Sequence, residues 1–182
     1  MCRCDWLYQG VFKSTRFETG CTSRFACETQ PADRRFSVIL APQADAANKL
    51  TVTNSVIIEN SATGGGNWGG GINNVNDGAT TIHNSTISGN SAGAVGGGVY
   101  NTSGTLSIAN STITENTARF GGGILSHGGT VTIFNCMIAG NSADYGGGIH
   151  SERGSELIIT SFCKFYSLRH SIHIFYGVRC RS

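Results

Sequence analysis

The sequence predicts an all-β protein, a right-handed parallel β-helix (β-solenoid) of about four coils with irregular flanks. Three observations predict it. A unit of about 25 residues recurs, its branched apolar residues alternate with polar ones, and nearly all the glycine is confined to it.

The copies align on Asn54, Asn84, Asn110 and Asn135, at steps of 30, 26 and 25 residues. Ser161 falls 26 further on, where a fifth copy is expected to fail. Val52, Ile82, Ile108 and Ile133 precede those asparagines; Ile57, Ile87, Ile113 and Ile138 follow them. A second asparagine column holds Asn60, Asn90, Asn116 and Asn141, and then come Ala62, Ala92, Ala118 and Ala143. Glycine triplets follow at 69–71, 96–98, 121–123 and 146–148. Trp68, Val95, Phe120 or Tyr145 precedes each triplet, and Ile72, Val99, Ile124 or Ile149 succeeds it.

Runs such as LSI, TIT and GIL are short, branched and alternating, so they read as strands separated by Asn, Ser, Thr and Gly turns. No copy carries a helical i, i+3, i+4 stripe. Three strands and three turns then make one coil, and coils paired edge-on place equivalent residues about 4.8 Å apart. Ile stacks on Ile inside, and both asparagine columns are expected to be stacked structural ladders that satisfy buried polar groups. The glycine triplets suit a bend that needs positive φ and has no room for a Cβ. Parallel crossovers favour the right hand.

The pattern NSTIxxNxA, followed by an aromatic residue and GGGI, resembles the parallel β-helix repeats of pectate-lyase-like folds. It is closer still to those of the polymorphic outer-membrane-protein type. The resemblance covers roughly Leu50 to Ile159. It is specific for fold and unspecific for activity, because adhesins, passenger domains and sugar-cleaving enzymes share such repeats. It implies a secreted or outer-surface location, with a carbohydrate or a host or cell-surface protein as partner.

Three segments follow: 1–49 as an irregular N-terminal flank or cap, 50–160 as the repeats, and 161–182 as an irregular C-terminal flank. Of 26 glycines, 23 lie between Gly64 and Gly154, whereas the first 49 residues hold seven of the 13 Lys and Arg. Repeat and flanks are therefore different material. Each flank is either a cap over a solenoid end or sequence foreign to the repeat. Phe36 to Leu40 could form a strand, and Ala41 to Asn48 a helical turn or linker. The opening MCRCDWLYQG lacks the apolar core of a secretory signal, and no apolar span is long enough for a membrane. A net charge of +2 argues for neither nucleic acid nor an acidic substrate.

Six of the seven cysteines lie in the flanks; Cys136 takes the column of Ser55, Ser85 and Ser111, where a small near-isostere fits. His170 and His173 between Cys163 and Cys180 are only a weak metal hint. No cofactor, metal or catalytic residue is assigned. The one candidate acidic column is Glu59 and Glu115 with Gly89 between them, two coils and so about 9–10 Å apart. That approaches the carboxylate separation of an inverting glycosidase. A solvated turn is the favoured reading, since Gly replaces Glu in alternate coils. Asp77, Asp144, Arg119 and Arg153 are scattered rather than gathered as a lyase would require. Trp68 could stack on a sugar, although its column with Phe120 and Tyr145 favours packing. His83 should point into solvent. The sequons at Asn84 and Asn110 are expected to be inaccessible within a stacked column.

The expectation is thus a non-enzymatic surface or secreted β-helix module, structural, adhesin-like or interacting, and part of a larger protein. The alternative is a fragment of a carbohydrate-active β-helix enzyme, either a polysaccharide lyase or a glycoside hydrolase.

Overall fold

The computed structural model describes residues 49–62, 68–75, 77–152 and 154–160, with five further strands in the flanks. The chain winds as a parallel β-solenoid of about four coils, and the described residues contain no helix.

Each regular coil contributes one strand to each of three faces. The first face stacks Lys49–Thr53, Ala79–His83, Thr105–Ala109, Gly129–Phe134 and Ser155–Thr160 in parallel. The second stacks Val56–Ile58, Thr86–Ser88, Thr112–Thr114 and Met137–Ala139. The third stacks Ile72–Asn74, Val99–Thr102, Ile124–His127 and Ile149–Ser151. Pairing is in register, so Ile82 lies beside Ile108 and Ile113 beside Ile138. Alternation of buried and outward residues turns each sequence column into a column in space.

The core is a single strip of these columns. Val52, Ile82, Ile108 and Ile133 run down one side, opposite Ile57, Ile87, Ile113 and Ile138, with Ile72, Val99, Ile124 and Ile149 closing it. Burying each such side chain contributes about 1.5–3 kcal/mol. One column breaks the rule: Leu50, Leu106, Val131 and Leu157 share it with Thr80, whose hydroxyl is buried without a partner.

Two glycine roles divide the triplets. The first glycine, Gly96 for example, takes φ +63° at the bend. The later ones face the neighbouring coil: a Cβ on Gly98 would stand 2.6 Å from the Gly123 carbonyl oxygen and 3.1 Å from Asn116 Nδ2.

Strand pairing runs further than the repeat motif. Lys164–Tyr166, Ile172–Ile174 and Val178–Arg181 continue the second, third and first faces in parallel, each onto the fourth-coil strand or its successor. The expected failure of a fifth copy at Ser161 is therefore a failure of motif and not of strand pairing. Backbone hydrogen bonds extend a sheet whatever the side chains, and Ile172 and Val178 still fall beside Ile149 and Leu157. Before the first coil, Val38–Leu40 pairs in parallel with Ile72–Asn74, and Phe25–Ala26 lies antiparallel on it. The proposed helical turn at 41–48 lies outside the described residues, as do His170 and Cys163.

Candidate functional site

The two asparagine columns occupy two corners of the coil and behave oppositely. At the corner between the second and third faces, Asn60, Asn90, Asn116 and Asn141 are buried. Nδ2 of Asn60 donates to Oδ1 of Asn90 at 2.8 Å, Asn90 to Asn116 at 2.9 Å, and Asn116 to Asn141 at 2.9 Å. Each acceptor oxygen also takes the backbone N–H of the preceding asparagine. The second amide proton goes back one coil, from Asn116 Nδ2 to the Ile87 carbonyl at 3.0 Å and from Asn141 to Ile113 at 2.8 Å.

At the corner between the first and second faces, Asn54, Asn84, Asn110 and Asn135 adopt left-handed backbone, with φ between 47° and 50°. All four are exposed. The expected inaccessibility of the sequon asparagines is overturned, because the left-handed turn aims Asn84 and Asn110 outward. Asparagine tolerates that backbone better than most residues. Stacking there is partial: Asn135 Nδ2 donates to Asn110 Oδ1 at 2.9 Å, and Asn110 Nδ2 meets His83 Nε2 at 3.1 Å. The buried ladder of this corner is built by the following serine. The backbone N–H groups of Ser55 and Ser85 donate to Ser85 Oγ and Ser111 Oγ respectively, each at 3.1 Å. Each Ser Oγ donates in turn to the carbonyl two residues back. Cys136 keeps that place, its thiol 3.1 Å from the Phe134 carbonyl oxygen.

Glu59, Gly89, Glu115 and Gly140 form one exposed turn column with φ between 56° and 66°. Glu59 leans over the next coil's Gly89, where a Cβ would lie 3.6 Å from its Cγ, and Glu115 leans likewise over Gly140. The alternation keeps like charges two coils apart on parallel stems.

Two charge pairs escaped the sequence reading. Arg119 and Asp144 share a column, since Phe120 pairs with Tyr145, and their side chains approach to 3.9 Å in the open. The second pair becomes a trio, with one Glu152 oxygen against His127 Nδ1 and the other 3.7 Å from the buried His150 Nε2. Ser126 pairing with Ser151 places His127 beside Glu152, a one-coil offset that the sequence spacing of 25 encodes. The carboxylate turns one oxygen to each ring, so the three groups do not converge. Among the described residues no group of three His, Cys, Asp or Glu is arranged to hold a metal.

The aromatic column behaves as packing. Phe120 and Tyr145 stack at 5.1 Å with planes 10° apart, and the Arg119 guanidinium lies 5.3 Å from the Phe120 centroid. The Phe120 ring is thus in contact with a second ring and a guanidinium, the arrangement of a packed side chain. Trp68 packs against Tyr100 at 5.8 Å and remains half exposed.

No known protein family, curated protein or solved structure matches this chain. The fold therefore rests on the parallel stacking itself. No helix among the described residues is long and apolar enough to cross a membrane.

Proposed function

We propose that this chain is a non-enzymatic interaction module of secreted or cell-surface type, a stiff solenoid whose faces display side chains in register. The observation that carries this reading is the outward surface of the first and second faces. In the middle coils it consists of Ala79, Thr81 and His83 beside Thr105, Ser107 and Ala109, continued by Thr86 and Ser88 beside Thr112 and Thr114. Apart from the His83 imidazole, which meets Asn110 Nδ2, these are short hydroxyl and methyl groups without acid or base chemistry, and Thr114 donates to Ser88 at 3.2 Å. At the fourth coil the same surface exposes Phe134 and Met137 on either side of Asn135. Such a chemically quiet, repetitive surface suits docking rather than turnover.

The likeness to polymorphic outer-membrane-protein repeats supports the location, and the NSTIxxNxA and GGGI columns carry that likeness. The test is incubation of the purified protein with pectin, alginate and similar polyanions. We expect no new reducing ends and no unsaturated products. Turnover that disappears in Glu59→Gln or Glu115→Gln would replace this reading with the carbohydrate-active one.

A further inference from the structure

The sequence holds three Asn-x-Ser/Thr triplets without proline at the middle position: Asn84-Ser85-Thr86, Asn101-Thr102-Ser103 and Asn110-Ser111-Thr112. Such a triplet specifies the asparagine and the hydroxyl two residues on, and leaves the middle side chain free. The fold sorts the three. At the corner between the first and second faces Asn84 is exposed and Thr86 lies outward, while Ser85 turns in and is buried. Ser85 Oγ is used there, donating to the His83 carbonyl at 2.8 Å. The corner therefore presents the two specified side chains and hides the unspecified one. Asn110, Ser111 and Thr112 repeat this division one coil later. The third triplet is reversed. Asn101 is 0% exposed, its Oδ1 accepts from Asn74 Nδ2 at 2.6 Å, and its Nδ2 donates to the Gly104 and Gly128 carbonyls at 3.2 and 3.3 Å.

The two exposed asparagines differ in what holds the amide. Asn110 Nδ2 lies 3.1 Å from His83 Nε2, and its Oδ1 accepts from Asn135 Nδ2 at 2.9 Å. The Asn84 side chain makes no hydrogen bond with any described residue. Its backbone is fixed all the same, with φ 49° and its N–H donating to the Ala109 carbonyl at 3.2 Å. A free amide thus stands on a rigid turn. Pairing of His83 with Ala109 puts Asn84 and Asn110 one coil, about 4.8 Å, apart. That is less than the width of a hydrated oligosaccharide, so a chain attached at one position covers the other.

We propose that Asn84 is an N-glycan acceptor of the folded protein, with Asn110 disfavoured by its contacts and Asn101 excluded by burial. The substrate class is an oligosaccharide carried on a polyisoprenyl diphosphate. Asn84 Nδ2 attacks the anomeric carbon of the first sugar. The C1–Nδ2 bond forms and the C1–O bond to the diphosphate breaks. The diphosphate leaves with the electron pair, and one amide proton passes to a base of the transferase. The attached chain projects from the corner without displacing a core residue, since Ile82 and Ser85 fill the interior there. For its occurrence in a cell this inference rests on the secreted or cell-surface reading; the acceptor geometry does not.

The test incubates the purified full chain with lipid-linked oligosaccharide and a single-subunit oligosaccharyltransferase, and maps the sites by mass spectrometry. Peptides TIHNSTIS, GVYNTSGT and SIANSTIT, copied from residues 81–88, 98–105 and 107–114, are the unfolded references. The transferase is one that modifies all three peptides, and each rate on the chain is divided by the rate on its own peptide. The ratio at Asn84 is expected to exceed that at Asn110 at least about fivefold, the worth of one or two net hydrogen bonds. No product is expected at Asn101. Asn84→Gln should remove most of the product while circular dichroism shows the solenoid intact. Should that substitution disturb the turn, site mapping on the unaltered chain still decides. A smaller difference between Asn84 and Asn110, product at Asn101, or no product on the folded chain each overturns the proposal. Because the assay uses purified protein, such a failure leaves the secreted or cell-surface reading standing.

Discussion

Two corners of one coil carry asparagine followed by serine in most copies, yet they use the residue for opposite ends. At the corner of Asn110 the asparagine is spent on backbone conformation: φ is 50°, the side chain is exposed, and Ser111 fills the interior. At the corner of Asn116 the asparagine is spent on hydrogen bonding, and it is fully buried with donors and acceptors engaged on three sides. The same letter at two columns thus stands for a conformational tolerance in one place and a polar network in the other. Substitutions separate the two jobs.

The largest effect is expected where the inner ladder meets the glycine triplet. Gly98→Ala puts a methyl 2.6 Å from the Gly123 carbonyl and 3.1 Å from the Asn116 amide, so the backbone must part or the ladder must break. A loss above about 4 kcal/mol in urea unfolding is expected, and a loss under about 1 would show that the coils are free to slide apart. Next comes the direct contrast. Asn116→Leu strands the Asn90 amide and the Ile87 carbonyl out of water and should cost about 3–5 kcal/mol. Asn110→Gly should change stability by less than about 0.5 kcal/mol, since glycine accepts the left-handed turn, and Asn110→Ala should cost about 1. Equal penalties for Asn116→Leu and Asn110→Gly in thermal melts would erase the distinction between the corners.

A gain is expected at Thr80. Its hydroxyl is buried without a partner in a column otherwise filled by Leu and Val. Thr80→Val keeps the shape, removes the unpaired group, and should raise stability by about 1 kcal/mol. A loss on Thr80→Val would mean that the hydroxyl is bonded in solution.

The repeat made the fold legible because parallel stacking turns sequence columns into spatial ones, so Ile108 could be placed beside Ile82 and Ile133 before any coordinates. Facing direction was less legible. Nothing in NST says that the asparagine turns out and the serine turns in; that follows from the positive φ of Asn84 and Asn110, which spacing does not report. Strand pairing in the tail was illegible for a related reason. Its strands carry no NST and no GGG, and motif matching does not detect sheet continuation through Phe165, Ile172 and Val178. The Glu152 trio and the Arg119–Asp144 pair could have been found by reading charged residues column by column, at the same offset that aligns the asparagines.

The smallest expected effect lies at that exposed pair, and it bears on what outward columns contribute. Arg119 and Asp144 approach to 3.9 Å with side chains 66% and 71% exposed, beyond hydrogen-bonding distance and open to salt. Water already solvates both charges, and fixing two mobile side chains offsets much of the Coulomb gain. A double-mutant cycle of Arg119→Ala and Asp144→Ala should give a coupling below about 0.5 kcal/mol that fades with added salt. Arg119→Ala alone should cost more than Asp144→Ala, because the guanidinium also lies over the Phe120 ring. A coupling above about 1 kcal/mol would place real stabilising energy on the outside of the coil. The outward columns would then be constrained by folding as the inner ladder is, and their free use as a docking surface would be correspondingly reduced.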